Sequence, residues 1–230
     1  EARFGAFGLP LARFVQWCWT SFQLAAGAAL LAAGLALALA FALRTAAAQP
    51  PGWPSRLLAA AVRTVGLGYA VPGAVIAVGI LIPLGMLQAA WPQAPLAAIV
   101  TGSVAGLLYA YLVRFSAVAL QSIDAGYARL PASLDDSARM LGASPARLLA
   151  EVHAPLLRRS VLAAALLVFV DVMKELPATL VLRPFDSDTL AVVAYNLARD
   201  ERLAEAALPS LAIVAVGLLP VLMLSRAMRR

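Results

Sequence analysis

Fifty consecutive residues between Arg63 and Arg114 contain no Asp, Glu, Lys or Arg. No soluble domain of ordinary size hides such a run. The whole chain is 63% hydrophobic and only 13% charged over 230 residues, against about 45–50% and about 25% in soluble domains. So few charges cannot cover that much apolar surface. The same figures exclude disorder, and a single cysteine, Cys18, excludes a disulfide scaffold. A membrane-embedded, all-helical protein remains.

The apolar runs set the expected spans. Phe22–Leu43 is free of charge and, at ~1.5 Å per residue, reaches across a ~30 Å hydrocarbon core. The fifty-residue run suits two spans, with Trp91-Pro92-Gln93-Ala94-Pro95 as the turn. The first of these carries Gly66, Gly68, Pro72, Gly73, Gly79, Pro83 and Gly85, which predicts a kinked, closely packed helix. A fourth run extends from about Ser160 to Leu182, and a fifth lies between Glu205 and Arg226. The expectation is one transmembrane domain over residues 1–230, an all-α membrane protein with five transmembrane helices.

Basicity rests on arginine, with Lys174 the single lysine and a net charge of +6. The arginines stand between apolar runs, as in loops flanking spans, and not along a stripe with interleaved aromatics, so nucleic acid is no expected partner. If residues 115–159 face the cytoplasm, Arg44, Arg56, Arg63, Arg114, Arg129, Arg139, Arg147, Arg158, Arg159, Arg226, Arg229 and Arg230 share that side. Arg3, Arg13, Arg183, Arg199 and Arg202 lie opposite. The bias puts the C-terminus inside and the first span's N-terminus outside.

Within 115–159 the composition changes. Ser133-Leu134-Asp135-Asp136 reads as a capping box, with Ser133 at the N-cap and Asp136 reaching back. A short helix to Leu141 would end on Gly142, and Ser144-Pro145 would start another that closes near Pro155. This helix–turn–helix is either an amphipathic connector on lipid headgroups or a docking element for a soluble protein. Its lone His153 is expected to be solvated.

Asp136-Ser137-Ala138-Arg139-Met140-Leu141-Gly142, nine residues, then Val152-His153-Ala154-Pro155 resembles the EAA motif of ABC importer permeases. That pattern is Glu-Ala-Ala, three residues, Gly, nine residues, Ile, one residue, Leu-Pro. Ala138, Gly142 and Pro155 match; Asp136, Ser137 and Val152 are mild changes, and Ala154 in place of Leu is the departure. Gly68-Tyr69-Ala70-Val71-Pro72-Gly73, Lys174-Glu175-Leu176-Pro177-Ala178-Thr179-Leu180, Arg183-Pro184-Phe185 and Asp188-Thr189-Leu190-Ala191 look like the ferric-iron subgroup. The resemblance implies the C-terminal repeat of a fused inner-membrane permease with one helix before Glu1. It also implies coupling of Asp136, Ser137, Ala138, Gly142, Ser144, Pro145, Val152 and Pro155 to cytoplasmic ATPase subunits. A periplasmic substrate-binding protein, a second permease repeat and bacterial inner-membrane lipid complete the implied partners. Ferric iron is the leading cargo, with thiamine, polyamine or phosphonate as alternatives.

The chain has no P-loop sequence, so ATP would be consumed by the partner and no cofactor is expected here. One histidine and one cysteine cannot make a metal cage, and no nucleophile has a base beside it, so an enzyme is not expected. Asp171, Lys174 and Glu175 interrupt the fourth run at a spacing of three and four, on one expected helix face, with Pro177 as a bend. They would pair locally near the outer end, or line or gate the translocation path. An ion-gradient-driven carrier would use the same acids, but has no use for the docking element.

Overall fold

The computed structural model describes residues 11–93, 100 and 103–228. Helix α1 (Leu11–Ala47) is followed by α2 (Trp53–Leu67), a 3-10 turn (Gly68–Ala70), α3 (Gly73–Ala90) and α4 (Val104–Tyr127). A short α5 (Ser133–Met140) precedes a continuous helical run: α6 (Pro145–Arg147), a π-helical segment (Leu148–His153) and α7 (Ala154–Met173). Then come α8 (Pro177–Leu182), α9 (Leu190–Arg199) and α10 (Leu203–Met228). The fold is all-α, and α1, α3 and α4 are long and apolar enough to cross a membrane.

Each expected span has its helix, but four boundaries differ for physical reasons. The first of the charge-free pair begins at Trp53, not beyond Arg63, and is broken in the middle. Val71 is extended (φ −81°, ψ 125°) because Pro72 follows it. The second of the pair runs straight through Arg114 to Tyr127, so the connecting segment starts at Ala128 instead of 115. Phe115–Leu120 is as apolar as what precedes it, and one charge does not end a helix whose neighbours bury it. The fourth span stops at Met173 and resumes as α8, with Pro177 at a position that needs no N–H. The polar stretch 183–205 contains α9, capped by Thr189.

The core lies where α1 packs along both α4 and α7. The buried stripe of α1 is alanine: Ala25, Ala28, Ala29, Ala32, Ala33, Ala36 and Ala40. Small side chains every three or four residues let helix backbones approach, which matters in lipid, where no hydrophobic effect drives helices together. At one end of the bundle Ser21 accepts the Leu190 N–H at 2.8 Å. At the other, Arg44 reaches α5.

Candidate functional site

The turn between α5 and α6 is built largely as its residues dictate. Gly142 takes φ +81°. Its N–H bonds to the Arg139 carbonyl at 2.9 Å, and the Ala143 N–H to the Ala138 carbonyl at 3.0 Å. This is the paired C-terminal closure that glycine favours. Ser144 then accepts from the Arg147 N–H at 3.3 Å, with Pro145 opening α6. Beside the turn, Met140 and Leu141 are 90% and 88% exposed. Asp136, Ser137 and Pro145 are exposed, and Ala138 and Val152 half-buried. A cavity of about 320 Å³ opens between the turn and the end of α1, lined by Thr45, Arg139, Pro145 and Leu148 among others.

Three expectations for this segment fail. No capping box forms: Ala132 is the N-cap in a helical conformation, and Ser133 lies inside the helix, accepting from Ser137 Oγ at its carbonyl. The Pro131 carbonyl starts the turn one step earlier, which leaves Asp136 facing out. Nor does Pro155 close a helix. The preceding turn widens, with the Ala154 N–H bonding five residues back to Leu149, so the missing proline N–H is absorbed without a break.

The third failure concerns His153, which is fully buried instead of solvated. Its Nδ1 lies 3.1 Å from the Tyr127 hydroxyl and its Nε2 3.0 Å from Asp135 Oδ1. Phe41 and Tyr127 meet its ring edge-on. Spacing of four from Leu149 and Leu157 on an apolar stripe was the signal for that burial. Asp135 also takes Arg44 Nε at 2.8 Å and Nη2 at 3.0 Å. Burial alone would raise this carboxyl, but the hydrogen bonds from Arg44 and then His153 outweigh it and hold the group below the usual carboxylate range.

The second candidate cluster sits where two helices are interrupted side by side. Lys174 pairs with Asp171 at 2.9 Å and is 61% exposed on its side chain. Glu175 does not join them. With Lys174 out of helical geometry (φ −101°, ψ 1°), the expected shared face is lost. Glu175 turns inward, 5% exposed, to Arg114 Nη1 at 3.3 Å, and accepts the Ala178 N–H at 3.1 Å. Thr179 and Tyr111 are hydrogen-bonded at 2.6 Å just beyond. Arg114 is thus the functional candidate that the reading of loop arginines missed. An arginine in one apolar run and an acid in another were the available signal.

The break at Gly68–Gly73 packs on the same place. A side chain at Gly68 would collide with the Val113 carbonyl, and one at Gly73 with Glu175 and Arg114. The two sequence stretches, 68–73 and 174–180, are therefore joined through α4. Pro177 is exposed at the start of α8. Beyond it Arg183 pairs with Asp188, and Phe185 stands fully out. Among the described residues no three His, Cys, Asp or Glu side chains gather to hold a metal.

No protein-family model matches the chain. It is 32% identical over 164 residues, 71% of its length, to the putative 2-aminoethylphosphonate transport system permease protein PhnV of Salmonella typhimurium. It is 28% identical over 120 residues, 52% of its length, to the Fe(3+)-transport system permease protein FbpB 2 of Haemophilus influenzae. The chain spans 58% of the first relative and 24% of the second. A bacterial alginate ABC transporter, solved with an alginate pentasaccharide-bound periplasmic protein, shares the fold. The TM-score is 0.66 over 93% of this chain and 76% of that one, at 12% identity. The chain is thus similar in sequence, over 71% of its length, to a transport-system permease protein, and over 93% of its length it shares the fold of a chain of an ABC transporter.

Proposed function

We propose that the chain is the permease subunit of an ATP-driven importer. It acts as a single permease domain that forms the translocation path with a second permease repeat. The carrying observation is the turn at Gly142: an EAA-spaced element held at one end of the bundle, with Met140 and Leu141 standing clear of it. An ATPase cleft would close over those two side chains, and ATP would be bound and hydrolysed there. A periplasmic binding protein would deliver cargo at the opposite end, beside α8 and α9. The break where Gly73, Arg114 and Glu175 pack together, with Pro177 and the Asp171–Lys174 pair beside it, is the part that would rearrange between inward- and outward-facing states.

Gly142→Val tests the coupling role, because a β-branched residue is strained at φ +81°. The expected outcome is loss of cargo uptake together with loss of ATPase co-purification. Normal values for both would overturn the reading.

Ferric iron is the proposed cargo. The Lys174–Leu180 and Arg183–Phe185 stretches and the FbpB 2 relative support it. A 2-aminoethylphosphonate-type cargo is the second reading, favoured by the higher identity and longer match to PhnV. Uptake of each cargo into vesicles, with its own binding protein supplied, separates the two.

A further inference from the structure

Helix α5 is the element proposed above to meet the ATPase, yet Asp135 is its one buried residue. Among the described residues no other α5 side chain hydrogen-bonds outside its own helix: Ser137 bonds to Ser133, and Arg139 pairs with Asp136. The directed side-chain links between α5 and the bundle therefore pass through one carboxylate. That carboxylate is held from two directions. Arg44 of α1 grips it with Nε and Nη2 and also bonds the carbonyls of Leu130 (3.1 Å) and Pro131 (3.0 Å), which lead into α5. His153, at the head of α7, meets it from the other side.

One bond direction is fixed by chemistry. An ionised carboxylate only accepts, so Nε2 of His153 carries the hydrogen toward Asp135. Nδ1 is hydrogen-bonded to the hydroxyl of Tyr127, the last residue of α4. The Arg44 guanidinium lies 5.3 Å from the centre of the Tyr127 ring, which closes the circuit. Four elements, α1, α4, α5 and α7, thus meet at four side chains.

Stability does not explain the choice. A buried ionic network is commonly no more stable than well-packed apolar residues in its place. Charge-assisted, bidentate bonds instead impose distance and direction, which is what a joint needs. The widened turn at Leu148–His153 brings the imidazole to that joint.

We infer that Arg44, Asp135, His153 and Tyr127 are positioning residues that pass displacement of α5 to α1, α4 and α7 together, so that they set transport per ATP hydrolysed. The inference rests on the permease reading. Its test uses the complete permease–ATPase–binding-protein complex in lipid vesicles, comparing His153→Leu with His153→Gln. A glutamine amide can still donate to Asp135; leucine cannot.

At matched ATPase occupancy, uptake per ATP should fall about tenfold in His153→Leu, as a lost hydrogen bond to a charged group would give. His153→Gln should stay within about threefold of the unaltered complex. An unchanged ratio in His153→Leu overturns the inference, and so does equal loss in both variants. If His153→Leu does not assemble, Tyr127→Phe removes one hydroxyl only; its ratio should still drop, and no drop overturns the inference. Failure of the unaltered permease to bind any ATPase is a separate result, which sinks the permease reading itself.

Discussion

Two regions of this protein carry charge among apolar helices, and they are built in opposite ways. The turn from α5 to α6 is made by neighbours in sequence: Gly142 closes on Arg139, Ala143 on Ala138, and Ser144 caps Arg147. The interrupted region in the middle of the bundle is made by strangers. Arg114 and Glu175 are 61 residues apart, and Gly68 and Gly73 press on them from a third segment. A locally made motif tolerates change in its surroundings. A motif assembled from three segments does not, so the two should answer substitution very differently.

The largest effect is expected where backbone meets backbone. Gly68→Val would drive a side chain into the Val113 carbonyl, which cannot move without shifting α4. A loss of more than about 4 kcal/mol is expected, the range of severe core disruption, read as collapse of the monodisperse peak on heating in detergent. A fully stable Gly68→Val protein would show that the two interrupted helices are not packed together as described.

Next comes the ion pair. Glu175→Leu strands Arg114 and removes the acceptor of the Ala178 N–H, at a cost of about 3–5 kcal/mol. The double replacement Arg114→Met with Glu175→Leu should recover much of that, because no charge is then left unpaired. Additive loss in the double variant would mean that each residue acts alone.

The smallest effect belongs to Lys174. Its partner is Asp171, and its side chain is 61% exposed. Lys174→Ala should change thermal stability by no more than about 1 kcal/mol. A loss as large as that of Glu175→Leu would restore the single three-charge cluster that the spacing of three and four suggested.

Much of the turn at Gly142 was legible because its causes lie within five residues. Gly142, Ser144 and Pro145 each do what their own backbone preferences require. The capping box at Ser133 and Asp136 was misread for the same local reason: Pro131 opens the turn one step earlier and shifts the frame. The burial of His153 depends on Tyr127 and Asp135, which arrive from 26 and 18 residues away. The pairing of Arg114 turned on a partner that no window of sequence contains.

By itself the sequence determined the solvent and the class of fold: charge-free runs of membrane length leave lipid as the only medium and the helix as the element. It also determined where a glycine must close a turn, since positive φ is a property of one residue. The tertiary structure alone decided which charges distant in sequence meet. Arg44 with Asp135, 91 positions apart, and Arg114 with Glu175 are pairs chosen by helix packing. In a low-dielectric bundle a charge takes the nearest opposite charge in space, whatever its distance along the chain.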